Sequence, residues 1–100
     1  MKRSQQSLLS SEQHLQLVTL GQSLAHSRIA RKMPQSEVAV RANLSRNTVS
    51  RIENGDAGIA SGQILRYLHV TRPGATLAAA LSKQDTVVDA QEDASRPPRA

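Results

Sequence analysis

"NLSRNTVSRIENG", residues 43–55, is the stretch on which the fold of this chain turns. Asparagine is one of the few residues besides glycine that tolerate left-handed backbone, so Asn43 suits a sharp turn between two helices. Leu44 plugs the corner, Ser45 is placed to cap the next helix, and Gly55 is placed to stop it. Projected at about 100° per residue, a helix over Arg46–Asn54 has Val49 and Ile52 on one side, flanked by Thr48 and Glu53. Arg46, Asn47, Ser50, Arg51 and Asn54 fall on the other side, with no acid among them. A polar outward face is the default for any surface helix. These particular side chains are also what reading a DNA major groove requires. Arginine can fork onto guanine O6 and N7, asparagine can do the same for adenine, and a threonine methyl can touch thymine.

Upstream, Pro34 disfavours helical backbone in the residue before it and suits the opening of a new helix, which predicts a boundary there. Gln35–Ala42 is then a short helix with Val38, Ala39 and Ala42 inward, and the small Ala39 lets it cross its successor closely. Before the proline, Leu17, Leu20, Leu24, Ile29 and Met33 recur with a helical period and predict a first helix over Leu15–Lys32. Ser10 and Gln13 have capping-box spacing, so that helix can begin at Ser10. Downstream of the Gly55–Gly58 loop, Ala60–His69 reads as a fourth helix with Ile64, Leu65 and Leu68 inward. Arg72-Pro73-Gly74 breaks the chain, and Ala75–Leu81 reads as a last short helix with Leu77 and Leu81 inward. The expected organisation is a flexible N-terminal segment over residues 1–10, a helical domain over 11–82 and a flexible tail over 83–100. Within that tail, Thr86-Val87-Val88 could pair as an edge strand.

The chain has 100 residues, no cysteine, no Trp, no Phe and one Tyr, so a single small domain with a mainly aliphatic core is expected. The lack of cysteine excludes disulfides and thiolate zinc sites and fits a reducing compartment. A net charge of +5 favours a polyanionic partner, and the basic excess lies before residue 83, with a slightly acidic tail after it. No apolar run approaches the roughly 20 residues that span a bilayer, and the start lacks the apolar core of a signal peptide, so a cytoplasmic protein without membrane association is expected. His14, His26 and His69 make no close-spaced metal pair, and neither a nucleophile turn nor a glycine-rich phosphate cradle is present. Neither an enzyme nor a cofactor is expected.

With "LGQSLAHSRIARKMPQSEVA" and "NLSRNTVSRIENG" in order, the chain resembles the Cro/repressor (XRE) family of helix-turn-helix transcriptional regulators over about Leu20–Leu81. The resemblance implies an all-α, five-helix bundle of the lambda-repressor-like DNA-binding type. It implies base contacts from Ser45, Arg46, Asn47, Ser50 and Arg51, and phosphate contacts from Gln35, Thr48, Asn54 and the start of the fourth helix near Ser61. It also implies an ion pair between Arg28 and Glu53. The chain departs from the family in having Asn43 where glycine is usual, Pro34 where a capping serine, threonine or asparagine often stands, and Asp56 where relatives place basic residues.

One implied function is a DNA-binding transcriptional regulator that acts on double-stranded DNA as a homodimer, because one short helix reads only a few base pairs. Its dimer interface is expected at Leu77, Leu81 and Val87, although the same alanine-rich helix could equally close the monomer core. The alternative is an antitoxin, resembling HipB-type proteins, that binds a toxin protein and regulates its own operon; the acidic stretch Asp85–Asp93 suits that reading. A third possibility, a scaffold for protein contacts, predicts a third helix without arginines, and Arg46 and Arg51 oppose it.

Overall fold

The computed structural model of the chain describes residues 8–82, which fold entirely as helices and connecting turns. Helix α1 (Ser11–Ala30) starts at the capping box: Ser10 Oγ accepts the Gln13 N–H at 3.1 Å, and Gln13 Oε1 accepts the Ser10 N–H at 3.0 Å. The helix ends two residues before the expected Lys32, because Lys32 takes left-handed backbone at φ 58°. That reversal turns Met33 into the core. Helix α2 (Gln35–Ala42) has Pro34 at its N-cap without a side-chain cap, as proline requires; the Pro34 carbonyl accepts from Glu37 N–H at 3.1 Å.

Asn43 ends α2 at φ 54° and ψ 47°, and the Leu44 N–H reaches back to the Ala39 carbonyl at 2.9 Å, closing a Schellman turn. Helix α3 (Arg46–Glu53) is capped by Ser45, whose Oγ accepts the Thr48 N–H at 3.0 Å. Gly55, at φ 74°, ends it with the same device: the Asp56 N–H donates to the Arg51 carbonyl at 3.0 Å. Helix α4 (Ser61–Thr71) begins at Ala60, which has no capping side chain; Gln63 Oε1 accepts the Ala60 N–H at 3.1 Å instead. The fifth helix, α5, covers residues 77–82.

Leu20 and Leu24 of α1, Met33, Val38, Ala39 and Ala42 of α2, Val49 and Ile52 of α3, Tyr67, Leu68 and Val70 of α4, and Ala80 of α5 form one core. Leu44, Ile59, Ile64 and Leu77 pack against it. Three residues expected inward lie outside: Ile29 is 59% exposed, Leu65 47% and Leu81 44%. In α1 the buried stripe keeps the expected Leu20 and Leu24, and Ile29 falls off it. On α4 it follows Ile64, Tyr67, Leu68 and Thr71, the spacing of one helix face, and Leu65 falls beside it. The lone aromatic, Tyr67, is the largest fully buried side chain, so the core centres on a residue that an aliphatic reading passes over. At the far end of α4, Arg72 donates to Ser27 Oγ at 2.6 Å and to the Ser23 carbonyl at 3.2 Å, tying α4 back to α1.

Residues 1–7 and 83–100, including Val87 and the Thr86–Val88 triplet, lie outside the described residues. No helix among the described residues is long and apolar enough to cross a membrane.

Candidate nucleic-acid interface

The position of α3 follows from a close backbone crossing. A Cβ on Gly21 of α1 would lie 2.5 Å from the Glu53 carbonyl oxygen and 2.8 Å from that of Ile52, so only glycine lets α1 meet the end of α3. Gly55 is equally confined, with a Cβ position 2.6 Å from the Leu17 backbone. With Val49 and Ile52 buried beneath it, α3 is seated by its inner face and its rim at once.

The seat is locked by Glu53. Arg28 donates to both its oxygens, from Nε to Oε2 at 2.6 Å and from Nη2 to Oε1 at 3.0 Å. Gln35 Nε2 donates to Oε1 at 3.0 Å. The Tyr67 hydroxyl lies 2.7 Å from Oε2 and 3.0 Å from the Leu24 carbonyl; its single proton serves one acceptor at a time, and the charged one is the stronger. A carboxylate in the last turn of a helix opposes the helix dipole and needs such partners. Burial pushes the Glu53 carboxyl up, but the hydrogen bonds from Arg28, Gln35 and Tyr67 outweigh it, and the group is held below its ordinary value. The Glu53 bond likewise raises the Arg28 guanidinium, while burial and then Glu53 push the Tyr67 hydroxyl far above the tyrosine range. One carboxylate thus joins α1, α2, α3 and α4.

On the outward side, Arg46 and Asn47 are exposed and make no side-chain hydrogen bond among the described residues. Ser45 Oγ donates to Thr48 Oγ1 at 2.8 Å, so both hydroxyls belong to the cap. Asn54 lies 3.4 Å from Ser50 Oγ, a long contact that leaves both amenable to other partners. Arg51 is not free: its guanidinium is paired with Asp56. Gln35, assigned to a phosphate, directs its amide to Glu53. At the start of α4 the Ala60 N–H is taken by Gln63, while the Ser61 and Gly62 N–H groups make no backbone hydrogen bond among the described residues.

Ser45, Arg46, Asn47, Ser50, Arg51 and Asn54 therefore share one helix and its caps, with Gln35 and Thr48 bonded at its edges and Ser61 on the following helix. Sequence reasoning missed the bonds of Gln35 and Tyr67 to Glu53, for which no local signal exists. It also missed the Arg51–Asp56 pair, whose signal was Asp56 standing just past the glycine that ends α3. Among the described residues, no group of three His, Asp or Glu side chains is placed to hold a metal ion.

No curated protein and no solved structure matches the chain. The family model for a helix-turn-helix domain matches residues 19–81, from the middle of α1 into α5, and so takes in the α2–α3 pair together with the helices that seat it. Over most of its length, then, the chain belongs to the helix-turn-helix domain family of DNA-binding regulators.

Proposed function

We propose that this protein is a sequence-specific transcriptional repressor that places α3 in the major groove of a palindromic operator, as a homodimer. The observation that carries the reading is the outward edge of α3. Arg46 and Asn47 stand exposed and unbonded among the described residues, while Glu53, the acid of that helix, is turned inward and neutralised. Ser50 and Arg51 extend the edge, and Ser61 and Gly62 offer free N–H groups to a phosphate. The seam of the dimer is assigned to α5. There Leu77 packs on the core, while Ala78, Ala79 and Leu81 are exposed, so the helix has a second apolar face. Twofold symmetry would set the two α3 helices about 34 Å apart, one turn of DNA. The toxin-partner reading rests on Asp85–Asp93, outside the described residues, and the repressor reading is retained.

Selection of bound sequences from a random duplex pool tests it, with wild type beside Arg46→Ala and Arg51→Ala at one salt concentration. The expected result is a palindromic motif whose preference at defined positions relaxes in the variants. Purified wild type that enriches no sequence at low salt would defeat the proposal.

A further inference from the structure

Asp56 is an acid at the rim of a face proposed to meet a polyanion, and a solvated surface charge does not describe it. The Schellman turn at Gly55 brings the Asp56 N–H onto the Arg51 carbonyl at 3.0 Å, which sets the two side chains next to each other. Asp56 Oδ2 then accepts from Arg51 Nε at 2.9 Å, and Oδ1 accepts from Nη2 at 3.3 Å. Oδ1 also accepts the Gly58 N–H at 2.7 Å, so the backbone fixes the carboxylate from a second side. A Cβ on Gly58 would sit 3.2 Å from Oδ1 and 3.3 Å from Arg51 Nη2, which shows how closely the loop folds over the pair.

The guanidinium has five N–H bonds, and this clamp uses Nε–H and one on Nη2, the side edge of the group. The end edge, formed by Nη1 and the other Nη2 proton, remains, and it has the spacing of a fork onto guanine O6 and N7. The Arg51 side chain is 42% exposed, so a base can reach it. A clamped guanidinium has also given up its rotamer freedom before binding, which lowers the ordering cost at the moment of contact.

We propose that Asp56 is a specificity-determining residue: it presents the end edge of Arg51 to a guanine in the operator, and its charge disfavours DNA that offers no guanine there. This rests on the proposed reading of α3 as the helix that reads DNA. Free of Asp56, Arg51 would swing to any nearby phosphate and add affinity without sequence information. The hydrogen bond to Arg51, and after it the Gly58 N–H, hold the Asp56 carboxyl below its ordinary value, while the same bond raises Arg51. The pair thus stays charged wherever the protein binds DNA.

The test measures affinity for the selected operator, for operators altered at each position and for random duplex, over a range of salt. Wild type is compared with Asp56→Asn, Arg51→Ala and Arg51→Lys. Asparagine keeps an acceptor for the Gly58 N–H and removes the charged fork. Arg51→Ala and Asp56→Asn are expected to flatten the same guanine preference, by about tenfold, and to leave the other positions unchanged. Asp56→Asn should also bind random duplex more tightly, with a log–log salt slope steeper by about 0.9, one extra phosphate. Arg51→Lys, which keeps the charges without the planar fork, should flatten the same position even if Asp56→Asn proves unstable. Full guanine preference in folded Asp56→Asn, or in Arg51→Lys, overturns the proposal. If Arg46→Ala relaxes a position and Arg51→Ala none, α3 reads DNA without Arg51, and only this proposal fails. If wild type selects no sequence, the reading of α3 fails and takes this one with it.

Discussion

Replacing Glu53 with glutamine changes one oxygen to an amide and leaves the shape of the side chain intact. All four hydrogen bonds to the carboxylate come from donors, two to each oxygen. Whichever way the glutamine turns, its NH2 faces two of them: Arg28 Nη2 with Gln35 Nε2, or Arg28 Nε with the Tyr67 hydroxyl. The Tyr67 hydroxyl can accept from the new NH2 while donating to the Leu24 carbonyl, but a bond from Arg28 is lost in either orientation and its guanidinium keeps its charge with no counter-ion. The side chains of Arg28 and Glu53 are only 14% and 7% exposed, so water cannot make good the loss. Breaking a pair buried to this degree costs about 3–5 kcal/mol, and the small opening at Arg28 favours the lower figure. A domain of this size has of order 4–11 kcal/mol in total, so the loss takes a large share of it. At about 4–8 °C per kcal/mol, the midpoint should fall by at least about 12 °C. Urea unfolding followed by circular dichroism, with slopes compared to confirm an unchanged denatured state, measures the difference. The pH dependence supplies a second check. Glu53 is held below its ordinary 4.5, so its contribution is complete above that pH and is lost as pH falls through its native value. The gap between wild type and Glu53→Gln should therefore narrow in acid. A loss under about 1 kcal/mol at pH 7, the size seen for exposed pairs, would refute the reasoning.

Two further outcomes follow from the backbone. Gly21→Ala places a methyl 2.5 Å from the Glu53 carbonyl oxygen, against backbone that cannot turn aside, and should cost about 1–3 kcal/mol or more by thermal unfolding; an unchanged midpoint would mean that α1 and α3 can separate freely. At Asn43, φ 54° admits glycine without strain, so Asn43→Gly should stay within about 1 kcal/mol of wild type, whereas the β-branched Asn43→Val should lose more than that in the same assay.

The ends of the helices were legible in the sequence because they are local. Ser10 with Gln13, Asn43, Ser45 and Gly55 each act on backbone groups within a few residues of themselves, and their chemistry admits few alternatives. The pairing of α2 with α3, and the outward donors of α3, came from the same short range. The helical faces were less secure, since several apolar residues crowd both α1 and α4. One step of about 100° separates Leu65 and Ile29 from the buried stripes, and only the neighbouring helices select between the two. What the tertiary structure alone decided is which charges are spoken for. The family resemblance implied Arg28 as the partner of Glu53, but no pattern in the chain reports that Gln35 and Tyr67, 18 and 14 residues away, converge on the same carboxylate. The same holds for the nitrogen edge that Arg51 leaves open. Type and spacing place an arginine on the outer face, but the edge it offers depends on where a turn delivers Asp56, and that is a matter of three-dimensional distance.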